Sequence, residues 1–180
     1  MNWFWLFLGY SFLGYLLEKL FAAAVNARHR VRKCMVLLPL CPVYGLGMLA
    51  VLALPPAVKE NIFTLVIFGG AAATAVEYGM HWLYERWLGV RFWDYSDMPG
   101  NVAGRICLPF SLIWGVLAAV VVHALHPALA AVAPALSPQM AYVALLLFTT
   151  DSVVSAHVLR CGGDIDLMSV PRLLRYLRQE

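Results

Sequence analysis

Residues 62–84 read IFTLVIFGGAAATAVEYGMHWLY, an apolar run interrupted by one carboxylate, Glu77. A helix needs about 20 residues to cross a hydrocarbon core of ~30 Å, and this stretch meets that length. Similar runs occupy residues 3–25, 36–54, 106–125 and 140–159. Backbone exposed to lipid must satisfy its own hydrogen bonds, so these runs read as helices. The expected fold is an all-α integral membrane protein of about five transmembrane helices. Residues 1–160 form one bundle, and 161–180 form a basic amphipathic tail. The composition agrees: with 62% hydrophobic and 13% charged residues over 180 positions, there is too little charge to coat a soluble domain.

The basic residues orient the bundle. Arg28, Arg30, Arg32 and Lys33 follow the first run; Arg86, Arg91 and Arg105 follow the third; Arg160, Arg172, Arg175 and Arg178 follow the fifth. Eleven of the thirteen Lys and Arg thus fall on one side, with Lys59 on the other. The positive-inside rule places the eleven in the cytoplasm and the N-terminus outside. The net charge of +3 therefore reflects membrane orientation and gives no reason to expect nucleic-acid binding. Trp3, Trp5, Trp87 and Trp93 fall where an interfacial aromatic belt would lie. The N-terminal run lacks a basic leader and a cleavage site, and reads as a span rather than a signal peptide. The tail, with Ser169 as N-cap, Pro171 in the first turn and Leu173, Leu174 and Leu177 on one face, reads as a helix lying on lipid or docking a partner. Cys34, Cys41, Cys107 and Cys161 have neither CxxC nor metal-ligand spacing, so structural thiols are expected, with no metal and no cofactor.

Two segments repeat. LPLCPVYGL at 38–46 aligns without gaps on LPFSLIWGV at 108–116, with Leu-Pro followed five residues later by an aromatic-Gly pair. Each follows a basic loop, and each preceding helix carries one glutamate, Glu18 or Glu77. Two hairpins in one orientation would form a parallel repeat about the membrane normal.

Ionisable groups inside a span cost about 2.5–3.5 kcal/mol on insertion scales and require a reason. Glu18, Glu77 and Asp151 lie at a common depth, ~10–13 Å from the cytoplasmic ends of their helices. Each sits on a small or polar stripe: Ser11, Gly14 and Glu18; Gly70, Thr74, Glu77, His81 and Glu85; Asp151 and Ser155. Two readings stand. Structurally, the carboxylates pair with Arg105, Lys19 or backbone groups freed around Pro39, Pro42 and Pro109. Functionally, Glu18, Glu77 and Asp151, with His81 and Ser155, form an interior acidic layer that binds a substrate or ion. Ligation of a metal by His81 and His157 is the less favoured alternative to packing.

The loop at 86–105 concentrates Trp93, Asp94, Tyr95, Ser96, Asn101, Gly104 and Arg105, which suggests a folded element rather than a plain connection. Here the sequence resembles a family. Trp-Asp-Tyr-Ser at 93–96, Asn-x-x-Gly-Arg-x-Cys at 101–107, Phe-Ser-Leu-x-Trp-Gly at 110–115 and Pro-x-Tyr-Gly at 42–45, together with Glu18 and Glu77, are similar to the bacterial ABC-transporter type IV membrane proteins, the CmpB-like permeases. The resemblance covers about residues 5–160. It implies a multi-pass permease of the bacterial cytoplasmic (inner) membrane. No G-x-x-x-x-G-K-[ST] loop occurs, so ATP hydrolysis would belong to a separate ATPase subunit.

The leading expectation is a non-enzymatic membrane subunit of a small-solute transporter, homo- or hetero-oligomeric in the lipid bilayer. The alternatives are a scaffold recruiting a partner through the 93–105 loop and the basic tail, and a lipid-modifying enzyme using Asp94, Asp97 and Arg105.

Overall fold

The computed structural model describes residues 2–24, 34–135, 137–162, 164–176 and 178. The basic segment holding Arg28, Arg30, Arg32 and Lys33 lies outside the described residues, as does Leu177. Among the described residues the helices are α1 (Asn2–Ala24), α2 (Pro42–Leu52), α3 (Pro56–Glu60), α4 (Ile62–Leu83), α5 (Leu108–Val120), α6 (His126–Val132), α7 (Pro138–Gly162) and α8 (Val170–Tyr176). An isolated bridge joins Val102 to Ile106.

Among the described residues, four helical stretches are long and apolar enough to cross a membrane: Trp3–Ala24, Ile62–Leu88, Leu108–Val132 and Pro138–Gly162. The run at 36–54 is helical only over the 11 residues of α2. That helix rises ~16 Å, about half the hydrocarbon thickness. Pro39 and Pro42 explain the shortening. Each lacks an N–H and biases its predecessor toward extended backbone, as Cys41 shows at φ −121°, ψ 92°. Pro42 instead opens α2, where its missing donor costs nothing.

Residues 34–41 therefore run without helical hydrogen bonds, and α7 supplies partners. Leu37 and Leu38 donate their N–H groups to the Asp151 carboxylate at 3.1 and 2.6 Å, and Val36 donates to Ser155 Oγ at 2.9 Å. The Cys41 N–H reaches the Ser11 carbonyl on α1 at 3.0 Å. Irregular backbone at membrane depth is tolerated when it is buried and satisfied in this way.

The fourth run extends further than the sequence suggests. A π-helical turn at Val121–Leu125 passes into α6, and Pro127 falls in the first turn of α6 rather than ending the helix. The Tyr10 hydroxyl meets His126 Nδ1 at 2.8 Å, tying α1 to α6. Much of α7 faces outward, with Tyr142, Leu146 and Val153 exposed. The tail turns back on the bundle: Met168 is fully buried, and Val170 and Leu173 pack with Val36, Val90 and Leu159. Part of the apolar face expected to meet lipid or a partner is thus spent on this chain's own core.

The α1/α2 and α4/α5 hairpins pack by the same scheme. A Cβ on Gly45 would stand 2.6 Å from the Phe7 carbonyl and clash with Ser11, while one on Gly115 would clash with the Val66 carbonyl. A single offset of fifty-nine residues relates Phe7 to Val66, Ser11 to Gly70 and Glu18 to Glu77. The equivalent rings Tyr44 and Trp114 meet edge to face, 5.5 Å between centroids. The relation is incomplete, however. Helix α2 packs along α4, whereas α1 and α5 meet more sparsely, Phe21 against Phe110 with ring centroids 6.4 Å apart.

Candidate functional site

A cavity of about 610 Å³ occupies the space between α1 and α5, walled on its sides by α2 and α4. Glu18 and Glu77 both line it. Tyr44 donates its hydroxyl to Glu18 Oε1 at 2.6 Å, and Trp114 donates its indole N–H to Glu77 Oε2 at 2.9 Å. Each hairpin therefore holds its glutamate with the aromatic residue of its own aromatic-Gly pair. Because those two rings touch, the carboxylates are brought to one end of one cavity. The opposite end is largely apolar, with Met48, Val51, Leu117, Val121 and Leu125 beside Tyr10, whose hydroxyl is taken up by His126. Along α2 the two ends are separated by the seven residues from Tyr44 to Val51, ~10 Å.

The loop closes the carboxylate end. Phe92, Trp93 and Tyr95 line the cavity, and the Tyr95 hydroxyl donates to Glu77 Oε1 at 3.0 Å. Both oxygens of Glu77 are thus engaged by neutral donors. Glu77 is 6% exposed, and no cation pairs with it among the described residues. Tyr95 stacks on Phe110 at 4.9 Å; burial, then the Glu77 charge, raise its hydroxyl pKa well above the ordinary tyrosine range.

The motif residues at 93–105 hold this plug in shape. Asp94 accepts the Ser96 hydroxyl at 2.5 Å and the Ser96 N–H at 2.9 Å, which keep its carboxyl below the usual range. Asn101 donates to the Ser96 and Met98 carbonyls at 3.0 Å and accepts the Gly104 N–H. Gly104 has φ +68°, and a Cβ there would press on Ser96 and Asp94, so both the backbone and the space require glycine. Trp93 donates to the Arg105 carbonyl at 3.0 Å, and His81 Nε2–H donates to the Trp93 carbonyl at 3.0 Å. Arg105 clamps Glu85 Oε2 at 2.8 and 3.2 Å, donates to the Tyr78 hydroxyl at 2.9 Å and lies over the Tyr78 ring; the Glu85 carboxylate raises its pKa further. Glu85 also pairs with Arg91.

The structure divides the residues grouped in the acidic layer. Glu18 and Glu77 share the cavity. Asp151 and Ser155 do not line it and bind the 36–38 backbone instead. His81 buttresses the loop. Arg105 pairs with Glu85 rather than with any of the three carboxylates, and Lys19 lies 6.0 Å from the Tyr15 ring. Tyr44 and Trp114 escaped notice as site residues, although their matched places in the repeat were the available signal. Cys34 and Cys41 also line the cavity, Sγ to Sγ 3.8 Å. Among the described residues no group of three or more His, Cys, Asp or Glu is placed to hold a metal ion.

No curated protein and no solved structure matches the chain. A family model described as "Putative ABC-transporter type IV" (CmpB) matches residues 5–156, spanning both hairpins, the loop and most of α7. With four helices among the described residues fit to cross a membrane and that match over most of its length, the chain is a multi-pass membrane protein and belongs to the ABC-transporter type IV family.

Proposed function

We propose that the chain is the permease subunit of a small-solute transporter in the bacterial cytoplasmic membrane, and that the α1/α5 cavity is its substrate site. The carrying observation is that two carboxylates from matched hairpins, the buried Glu77 and the half-buried Glu18, line one cavity beneath a folded loop. Intramembrane ionisable groups turned toward an interior cavity mark substrate or ion pathways. With the basic side in the cytoplasm, the 92–105 loop is the cytoplasmic gate, latched by Tyr95 on Glu77. Opening it exposes Glu77 to water on that side. The energy comes from a separate ATPase subunit, because this chain has no phosphate loop. The inward use of Trp93, Tyr95 and Arg105 favours a gate over a recruiting surface, since a docking loop would present such anchors outward.

Transport of radiolabelled solutes into membrane vesicles tests this. Glu77→Gln is expected to abolish the flux seen with the unaltered chain, at equal abundance and similar unfolding midpoint. Unchanged flux would remove the cavity from the pathway, and loss of folded protein would make Glu77 a structural residue.

A further inference from the structure

Another cavity, of about 450 Å³, lies where two of the membrane-crossing stretches end. Arg86, Trp87 and Leu88 reach it from the π-helical turn Tyr84–Leu88 that continues α4, and Ala156, His157 and Arg160 from the last turns of α7. It shares no lining residue with the α1/α5 cavity. A cation near a helix C-terminus suits the macrodipole, which accounts for each arginine singly. It does not account for their placement around one cleft, where like charges repel. Among the described residues no carboxylate pairs with Arg86 or Arg160: Glu85 is held by Arg91 and Arg105, and Asp166 by Arg172. An anion seated between the two guanidinium groups removes the repulsion, and their planar forks match phosphate oxygens.

The surroundings decide which phosphate. The stretches Ile62–Leu88 and Pro138–Gly162 both end beside the cleft, at the depth of the lipid headgroups. Trp87 is 67% exposed there, and an amphipathic indole ring is at home in the interface. On α7, Leu146, Val153, His157 and Arg160 share one helical face, and Leu146 and Val153 are exposed. The basic end is thus continuous with an apolar strip that runs ~20 Å back along the helix. A soluble phosphate would use the basic end alone, whereas a phospholipid uses both. Basic pockets between transmembrane helices bind anionic headgroups in this way. We propose that the cleft binds an anionic phospholipid, its phosphate between Arg86 and Arg160 and an acyl chain along Val153 and Leu146. With the basic side in the cytoplasm, the lipid belongs to the inner leaflet. The site is independent of what the α1/α5 cavity carries.

Native mass spectrometry of the full chain in detergent, titrated with phosphatidylglycerol and with phosphatidylcholine of the same acyl chains, tests the proposal. The first phosphatidylglycerol should bind saturably and about fivefold or more tighter than phosphatidylcholine. Glycerol phosphate, a phosphate without acyl chains, should not displace it. Arg86→Gln and Arg160→Gln should each weaken phosphatidylglycerol by about tenfold. Arg160→Lys, which keeps the charge and loses the fork, should fall between Arg160→Gln and the unaltered chain. Both arginines are exposed, so the variants should keep the unfolding midpoint of the unaltered chain. Arg175→Gln removes an equal charge from α8, outside the cleft, and should leave binding unchanged. Equal weakening by Arg175→Gln would reduce the effect to general charge and overturn the site, as would equal affinity for the two lipids. Displacement by glycerol phosphate as effective as by phosphatidylglycerol itself would make the ligand a soluble phosphate and overturn the lipid assignment.

Discussion

Asp151 accepts the N–H groups of Leu37 and Leu38, which Pro39 keeps from any helical partner. Glu77, at a similar depth in the sequence pattern, accepts an indole and a phenol beside a cavity. Both are acidic residues expected at a similar depth, yet one closes a defect in the backbone and the other faces a cavity. Truncating Asp151 to Ala would strand those donors, at about 1–3 kcal/mol each. Asp151→Ala should therefore lower the thermal unfolding midpoint in detergent clearly, while Asp151→Asn, which keeps one acceptor oxygen, should recover part of the loss. Equal midpoints for the unaltered chain and Asp151→Ala would deny the carboxylate its bracing role. The sequence marked all three carboxylates as needing partners. It could not assign them, because the partner of Asp151 is main chain more than a hundred residues away, and main chain has no letter.

Among the elements, the spans were legible because their length and apolarity follow from the bilayer, and the stripes of small residues did mark close helix contacts. The length of α2 was not legible from apolarity alone, since residues 36–41 are as hydrophobic as the helix that follows them. Pro39 and Pro42 were the signal, and they act through lost donors and backbone sterics rather than through hydropathy. The extension through Pro127 was hidden for the complementary reason: a proline in a first turn does not end a helix. Two helical glycines allow the packing to be weighed. Gly47→Ala meets open space and should stabilise by about 0.5–1 kcal/mol through helix propensity. Gly115→Ala drives a methyl group into the Val66 carbonyl and should cost about 1–3 kcal/mol. Denaturant midpoints of the two variants should move in opposite directions. Shifts of the same sign would mean that α4 and α5 do not meet closely at Gly115.

Across the whole molecule, the two hairpins communicate through Tyr44 and Trp114. An edge-to-face aromatic pair contributes about 0.5–1.5 kcal/mol beyond burial. A double-mutant cycle of Tyr44→Ala and Trp114→Ala, read from unfolding free energies, should return a coupling of that order. Strict additivity would show that the hairpins are neighbours without being joined there. The contact also bears on symmetry. Equivalent residues of two equivalent units touch each other at a two-fold axis, as in an isologous dimer. Two separate identical halves would have to treat both of their mutual interfaces alike, closing both or opening both. Tandem halves within one polypeptide escape that requirement: here one interface, α2 on α4, is closely packed, and its counterpart between α1 and α5 is held apart by a cavity, with Phe21 touching Phe110. Joining the halves end to end thus allows a single asymmetric chamber beside the Tyr44–Trp114 contact instead of a matching pair.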